Sequence, residues 1–427
     1  MTRASGRSPT RRIGRLLVTL GPSYRRLWSA SALSNLADGV FQVALPLLAL
    51  RITRSPVWIA GLQLAARLPW MVFALHAGAL ADRLDRRRTM VTVDLVRAAL
   101  IGVLAILVAV EHEELWVLYL VAFGLGIGET LFDTAAQSVM PMVVGRAQLA
   151  RANGRLYAVE MTMNQFVGPP LGGLLAGTAI ALAFAGSAVA HLLAALALAG
   201  MVGQFRPQRK DAVRRRLRTD IAEGLQYLYR HRVLRTLAFM VGVMNLMNTA
   251  SFSLFPLFAV KPGPLGLSEA DFGLFLTTMA AGALGGSVLA AHIEKALGRA
   301  RALLVAVFGS ALFSAGPACF STVAPTATIL VLGGASIVVW NVITVSLRQR
   351  IVPEHLMGRV NAGYRLLAWG TMPIGAGLGG MLGEWFGVRT VFAVASVAQL
   401  GLLACFRIVT DPTLDEAERT DEHSASI

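Results

Sequence analysis

Ionisable side chains inside long apolar segments are the residues of this sequence best placed to do chemistry. Glu129 and Asp133 are four positions apart, so a helix would place both carboxylates on one face. Two such carboxylates repel each other when both are ionised, and one of the pair is therefore expected to hold a proton. Binding and releasing a proton inside an apolar helix is the chemistry that a proton-coupled carrier requires.

A polar face is also predicted in the first apolar segment. Asn35, Asp38 and Gln42 are spaced so that one face of a helix carries all three. Because a charged side chain at the centre of a bilayer costs about 2.5–3.5 kcal/mol, this face is expected to look into a helix bundle or a watery cavity. Two interpretations stay open: Asp38 makes a structural contact between helices, or it acts on a substrate or a proton.

Two arginines lie inside apolar segments as well. Arg67 is expected at nearly the same depth as Asp38, and we predict that the two side chains pair when no substrate is bound. Alternatively, Arg67 holds an anionic substrate. Arg97 could pair with Asp94 or Asp133, or it could extend its charged end to the membrane surface as an anchor.

Histidine and cysteine give little support for a metal centre or a disulfide framework. His76, His191 and His292 occur singly, and each is predicted to be a packed or interfacial residue rather than a ligand. Cys319 and Cys405 both lie inside apolar segments. The sequence therefore predicts no metal site, no cofactor and no disulfide.

The elements that position these residues follow from composition. Hydrophobic residues make up 55% of the 427 residues, charged residues 15%, and mean hydropathy is +0.62. Soluble chains carry roughly 25% charged residues. Apolar runs long enough to cross a bilayer recur along the chain, so we predict an all-α polytopic membrane protein. Twelve spans are expected near 27–50, 57–80, 90–110, 115–140, 154–177, 179–203, 234–260, 270–293, 302–321, 326–347, 360–383 and 389–410.

The formal net charge of +15 reflects membrane topology. Most Lys and Arg residues between spans fall on one side, whereas the opposite connections hold Arg51, Arg54, Lys261 and Arg389. This asymmetry predicts that both termini are cytoplasmic and that the basic loops contact anionic lipid rather than nucleic acid. The arginine-rich N-terminus has no cleavage pattern and is expected to be a retained tail.

The chain also repeats itself at an offset of about 210 residues. The segment "NLADGVFQVALPLLAL" (35–50) aligns without gaps on "NLMNTASFSLFPLFAV" (245–260), and residues 151–177 resemble 359–383. In this alignment Asn248 stands where the first copy has Asp38. The predicted organisation is a basic tail (1–26), a six-helix half (27–203), a linker with an amphipathic helix on the cytoplasmic leaflet (204–233), a second six-helix half (234–410) and a polar tail (411–427).

Twelve spans in two related halves resemble the major facilitator superfamily. The loop after span two carries a version of that family's signature, G-x-x-x-D-R-x-G-R-R, with Asp85 where the family has glycine. The matching positions are Gly78, Asp82, Arg83, Arg86 and Arg87. The form of this motif is similar to the branch with macrolide efflux pumps and the enterobactin exporter. The resemblance implies a charge network that latches the two halves in one state; the alternative is that the arginines only determine topology.

A second motif is partial. "GPPLGG" in span five resembles the end of the antiporter motif, and its key positions are Gly168, Pro169, Gly172 and Gly173. Prolines interrupt backbone hydrogen bonding and glycines permit close packing, which would suit a gate. Ordinary helix packing is the alternative interpretation. The motif favours efflux.

Missing motifs exclude other classes. The sequence has no phosphate-binding loop and no hydrolase or metalloprotease signature, so an enzyme is not expected. The prediction is a secondary carrier, a proton-coupled exporter of a small organic compound; an uptake symporter and a non-transporting sensor or scaffold are the alternatives. Its cavity is expected near the midplane between the halves, with contributions from Asn245, Asn248, Trp340 and Asn341. A monomer in a bacterial inner membrane is expected.

Overall fold

The computed structural model describes residues 21–81, 84–145, 148–203, 205 and 217–424, which are almost entirely helical. The first half contains α1 (Pro22–Ile52), α2 (Pro56–Ala81), α3 (Arg86–Ala109), α4 (Leu115–Val143), α5 (Leu149–Met161), α6 (Gly168–Thr178) and α7 (Ile180–Ala199). A π-helical turn, Thr162–Val167, joins α5 to α6. The helices that follow are α8 (Leu217–Arg230), α9 (Arg232–Ala259), α10 (Glu269–Leu297), α11 (Arg299–Cys319), α12 (Val323–Ile351), α13 (Glu354–Phe386), α14 (Val388–Gly401) and α15 (Asp411–Ser424).

The described helices include nine that are long and apolar enough to cross a membrane. The other three predicted spans coincide with α2, with the broken α5–α6 segment and with α13. The prediction of an all-α polytopic membrane protein is therefore confirmed, and twelve spans are consistent with the structure. Helices dominate because a membrane offers backbone amides no water, so each segment must satisfy its own hydrogen bonds.

Local residues determine where several helices begin and end. The side chain of Asp85 accepts a hydrogen bond from the backbone three residues later and caps the start of α3. Ser268 caps α10 in the same way. Gly298 ends α10 with a φ of +80°, a conformation that glycine adopts without strain.

Neighbours along the chain are often not neighbours in space. Helix α1 packs mainly on α6 and α7, whereas α2 packs on α4 and on α13 of the second half. Helix α10 packs on α12 and on α6 of the first half. The pairs α2–α13 and α6–α10 therefore join the two halves.

Polar contacts close one face of the molecule between the halves. This face, which the sequence predicts to be external, is where α1 ends and α2 begins. Arg51 forms an ion pair of 2.8 Å with Glu269, and Ser55 Oγ donates a 2.6 Å hydrogen bond to Glu384. We call these two contacts the outer clamp.

Helix α8 lies in the segment predicted as an amphipathic linker helix. Within the described side chains its apolar face packs on protein: Leu228 is buried, and the backbone at Gly224 approaches the Arg359 carbonyl of α13. Glu223 forms a 2.7 Å ion pair with Arg359. Tyr229, which the sequence assigns to the same face, is exposed. Helix α8 is thus attached to α13, and contact with a lipid leaflet stays a prediction.

The segment predicted to be a polar tail contains α15, which packs on the second half. Leu414 is fully buried in a core that also contains residues of α9, α11 and α12. Asp415 and Glu418 form ion pairs with Arg299 at the start of α11. One apolar stripe therefore docks a helix whose other residues are mostly charged.

Candidate functional site

Charged side chains from three helices meet inside the first half. Arg97 Nη2 of α3 lies 3.1 Å from Asp38 Oδ1 of α1, and Arg97 Nη1 lies 4.0 Å from Asp94 Oδ1. His191 of α7 lies between the carboxylates, with Nδ1 3.3 Å from Asp94 Oδ1 and Nε2 3.6 Å from Asp38 Oδ1. We call Asp38, Asp94, Arg97 and His191 the ion cluster.

Only one member of the ion cluster reaches solvent. The side chains of Asp94 and His191 are 0% exposed and that of Arg97 is 3% exposed, whereas Asp38 is 23% exposed. Ser34 Oγ donates a hydrogen bond of 3.3 Å to Asp94 and accepts one from Arg97. Asp38 is therefore the member through which a proton or a ligand could reach the buried charges.

Helix packing explains why these residues meet. Helices α1 and α3 both pack along α7, which brings Asp38, Arg97 and His191 to one point. Asp94 and Arg97 are three residues apart on α3 and share a face. Gly128 of α4 leaves room for the arginine stem, because a Cβ there would lie 3.1 Å from Arg97 Cγ and Cδ.

The predicted pairing of Asp38 with Arg67 is wrong. Asp38 pairs with Arg97, while Arg67 of α2 is exposed. The prediction treated α1 and α2 as packed neighbours, but α1 packs on α6 and α7 instead. The possible partner Asp94 does contact Arg97, and the alternative of Arg97 as a membrane-surface anchor is wrong because its side chain is buried.

Further carboxylates surround the ion cluster. Glu129 and Asp133 of α4 are half-buried and lie close enough to act electrostatically on Arg97. Glu160 of α5 accepts a 2.9 Å hydrogen bond from Ser31 Oγ of α1. The first half thus has two further carboxylates near Arg97 and a third bonded to α1.

The rest of the predicted polar face of α1 does not join the ion cluster. Asn35 Nδ2 donates a 2.9 Å hydrogen bond to the Ser31 carbonyl on its own helix. Gln42 is exposed. Of the three predicted residues, only Asp38 contacts the buried charges.

A hydrogen-bonded network of uncharged residues lies inside the second half. Asn248 Nδ2 of α9 donates to Ser310 Oγ of α11 at 3.1 Å. Gln399 Nε2 of α14 donates to Asn248 Oδ1 at 3.2 Å and to Ser314 Oγ at 3.1 Å. We call Asn248, Ser310, Ser314 and Gln399 the amide network.

The amide network occupies the place of the ion cluster in the second copy. Matching positions are found by counting from the first residue of each helix. They are the seventeenth residue in the pair α1 and α9, the twelfth in the pair α3 and α11, and the twelfth in the pair α7 and α14. The resulting pairs are Asp38 with Asn248, Arg97 with Ser310, and His191 with Gln399. The two halves therefore share one polar core position, which is charged in the first half and neutral in the second.

The predicted latch residues are partly described. Arg86 Nη1 donates a 3.1 Å hydrogen bond to the Ser138 carbonyl, and Arg87 Nη1 donates a 2.6 Å hydrogen bond to the Met201 carbonyl. Both contacts stay within the first half. A latch between the halves remains a prediction.

Three latch residues remain, and Asp85 stands in place of the motif's glycine. Gly78 lies in α2, and Asp82 and Arg83 lie outside the described residues. Asp85, where the family motif has glycine, has a φ of −68° and caps α3. The turn therefore needs no glycine at this position.

The predicted gate motif begins α6. Pro169 and Pro170 lie in its first turn, directly after the π-helical turn, where the missing proline N–H groups interrupt helical hydrogen bonding. Span five is thus divided into two helices at this motif.

The glycines of the gate motif allow close backbone contact. A Cβ on Gly168 would lie 2.6 Å from Gly39 Cα of α1, and one on Gly172 would also meet the α1 backbone. A Cβ on Gly173 would lie 2.9 Å from Gly273 Cα of α10. The motif therefore packs α6 against both halves, and its role as a gate stays a prediction.

Residues predicted to line the cavity from the second half differ in their surroundings. Asn245 Nδ2 donates a 2.7 Å hydrogen bond to the Ala368 carbonyl and so links α9 to α13. Asn341 is exposed and bonds a carbonyl of its own helix. Trp340 is buried in the core of the second half, so its predicted place on the cavity wall is wrong.

Two residues near the ion cluster were not predicted. His191 is packed, as expected, but it also contacts two carboxylates. The sequence repeat could have indicated a role for His191, because the matching residue of the second half, Gln399, is also polar within an apolar helix. Glu160 lies inside predicted span five, where an ionisable residue needs a partner.

Metal binding finds no support in the described part of the chain, where no group of three or more His, Cys, Asp or Glu residues could hold a metal ion. In the ion cluster, the guanidinium of Arg97 occupies the position between the carboxylates that a cation would need. The arrangement is that of an ion-pair network.

Comparison with known proteins places these features in a family. A family model described as transmembrane secretion effector matches residues 20–426. The multidrug efflux pump Tap of Mycolicibacterium fortuitum is 28% identical over 88% of this chain and 93% of its own length. Macrolide efflux protein A of Streptococcus pyogenes is 24% identical over 92% of this chain and 96% of its own.

A solved structure supports the fold. The nucleoside transporter NupG superposes with a TM-score of 0.72 at 12% identity, covering 90% of this chain and 98% of that one. At this identity the likeness speaks for the fold alone. Because the family model spans nearly the whole sequence and these relatives are transporters rather than enzymes, the chain belongs to the transmembrane secretion effector family of major facilitator transporters.

Proposed function

We propose that this protein is a proton-coupled exporter of small organic compounds in a bacterial inner membrane. In this proposal both termini are cytoplasmic, the basic loops face anionic lipid, and the protein works as a monomer. The clamped face is then external, and the cavity between the halves opens toward the cytoplasm. Cargo enters from that side and leaves when the outer clamp opens.

The ion cluster is the observation that supports proton coupling. Each buried charge in a membrane helix is expensive, and such charges persist where they have a function. The second half builds the same core position from the uncharged amide network. Since the fold accepts the neutral version there, the charges of the first half are not needed for packing alone.

Exposure distinguishes the groups that would exchange protons. Asp38 is partly exposed, and Glu129 and Asp133 are half-buried on α4, so water in the cavity can reach them. Protonation of one carboxylate weakens its attraction to Arg97 and frees the helices to rearrange. Alternating protonation of this kind couples a proton gradient to a change in helix packing.

The direction of transport is supported by two observations. The relatives with the names given above are efflux proteins, and "GPPLGG" resembles part of the antiporter motif. Their names suggest macrolides and other drugs as cargo. An uptake symporter is the rival within the same fold, and a sensor without transport is the rival from a different class.

Everted membrane vesicles test the proposal. With a respiration-driven proton gradient, we expect the wild type to accumulate ethidium or erythromycin, and addition of either probe should release protons through the carrier. The Asp38→Asn variant should lose both signals, whereas His292→Gln, a change at an exposed residue of α10, should keep them. Accumulation without proton movement would exclude coupling, and proton-driven loss of probe from the vesicles would indicate uptake.

A further inference from the structure

His191 has an acidic partner on each side of its ring. Nδ1 lies 3.3 Å from Asp94 and Nε2 lies 3.6 Å from Asp38. A neutral imidazole carries a hydrogen on only one nitrogen, so it would turn a lone pair toward one of two ionised carboxylates. Both contacts are attractive when both ring nitrogens carry a hydrogen.

Charge balance leads to the same state. Inside the ion cluster two carboxylates face the single guanidinium of Arg97. The cluster is neutral only when it holds one additional proton. A net charge in a buried site of low dielectric is unfavourable, so the cluster in the observed arrangement favours the state that holds this proton.

Groups on the surrounding helices do not supply the missing positive charge. Helix α1 contributes Ser34 and Asp38, and α3 contributes Asp94 and Arg97. The charged groups of α4, Glu129 and Asp133, are both acidic. On α5, Glu160 is bonded to Ser31, and the arginines Arg151 and Arg155 are exposed. Helix α6, which also packs on α7, has no ionisable residue.

We propose that His191 and Asp94 form the inner part of the proton-binding site, with His191 holding the transported proton between Asp94 and Asp38. For release, the Nε2–H bond of His191 breaks, its electron pair stays on the nitrogen, and the proton forms an O–H bond on Asp38 Oδ1. Asp38 then gives the proton to water in the cavity. Neutral His191 keeps its Nδ1–H toward Asp94.

The unpaired atoms of the ion cluster are consistent with a site that rearranges. Among the described residues, Asp94 Oδ2, Arg97 Nε and His191 Nε2 are buried without a hydrogen-bond partner. The gap of 3.6 Å between Nε2 and Asp38 is too long for a hydrogen bond but is closed by a small shift of α7 against α1. Proton transfer is therefore tied to the relative position of these helices.

In the second half, the amide network fills the equivalent position without a bound proton. Gln399 stands in the place of His191 and both donates and accepts hydrogen bonds while remaining uncharged. The asymmetry assigns the transported proton to the first half. This role rests on the proposed proton coupling, whereas the protonation state of His191 does not.

Nitrogen-15 NMR of the full-length protein labelled at histidine tests the protonation state directly. At neutral pH we expect one buried imidazolium signal in the wild type that is absent from His191→Gln and unchanged in His292→Gln. In Asp38→Asn and in Asp94→Asn the same signal should become that of a neutral ring, because each change removes one negative charge. A neutral His191 in the wild type, or an imidazolium that survives both carboxylate changes, would overturn the inference.

Transport assays separate this inference from the proposed function. His191→Gln should still exchange ethidium across vesicles but lose accumulation driven by a pH gradient, and the remaining exchange should become insensitive to pH. If His191 gives an imidazolium signal but transport does not respond to the pH gradient, the protonation of His191 is supported and proton coupling is rejected. Retained gradient-driven accumulation in His191→Gln would reject the role of His191 while leaving the proposed function intact.

Discussion

At the level of single residues, the ion cluster depends most on Arg97. Its guanidinium carries a permanent positive charge and contacts the carboxylates of both Asp38 and Asp94. Removing one partner from a buried ion network leaves the others without compensation. The arginine is thus expected to matter for stability as well as for transport.

Replacement of Arg97 by glutamine should lower the free energy of unfolding by about 3–5 kcal/mol, because Asp38 and Asp94 lose their counter-charge in a buried site. The matched control is Arg67→Gln, since Arg67 is exposed. Its effect should stay within about 0.5 kcal/mol. Thermal unfolding in detergent measures both, and equal losses for the two variants would contradict the assigned pairing.

Among the helices, two equivalent glycine contacts join the halves. Gly173 of α6 meets Gly273 of α10, and Gly380 of α13 meets Ala60 of α2, where a Cβ would lie 2.9 Å away in each case. Both glycines lie in the segments that the sequence repeat aligns, 151–177 and 359–383. Small residues at these points let helices of opposite halves touch at the clamped face.

Gly173→Ala should destabilise the protein by about 1–3 kcal/mol, because the added methyl group collides with the backbone of α10. Gly177→Ala on the same helix is the control. Its methyl group would lie 3.6 Å from Ala270, an ordinary contact, so the helix should gain about 0.5–1 kcal/mol. Opposite signs in thermal unfolding are the expected result, and a loss at both positions would show that α6 does not tolerate any larger residue.

For the protein as a single unit, the outer clamp joins the two halves at one face. Arg51 lies in the last turn of α1 and Glu269 in the first turn of α10, so each charge also interacts favourably with the dipole of its own helix. Glu384 adds a contact to Ser55 at the start of α2. These contacts are partly exposed, so they are suited to opening and closing during transport.

Arg51→Glu should open the clamped face, since it places a negative charge opposite Glu269. The change in unfolding free energy should stay below about 1 kcal/mol. The measurement uses a single cysteine at exposed position 42 (Gln42→Cys, with Cys319 and Cys405 replaced by serine). A membrane-impermeant maleimide is added from the clamped side, and the cysteine should react faster when Arg51→Glu is present. The double reversal Arg51→Glu/Glu269→Arg should restore protection in part, because each charge then opposes its helix dipole. Equal labelling of all variants would show that the outer clamp has no role in the transport cycle.

Much of the architecture was predictable from residue order. Apolar runs of membrane length, the repeat of "NLADGVFQVALPLLAL" and the charge of the loops indicate a two-part helical carrier, because in lipid a continuous apolar run has few alternatives to a helix. The significance of Asp38 was evident from its charge in an apolar helix.

The partners of Asp38 were decided only by the tertiary structure. Arg67 and Arg97 are both arginines in apolar segments, and nothing in residue order says which helix faces α1. Packing of α1 and α3 along α7 selects Arg97 and brings in His191, a residue about 150 positions away. Sequence determines helices because their hydrogen bonds are local, whereas the ion cluster depends on side-chain packing between helices that are distant in the chain.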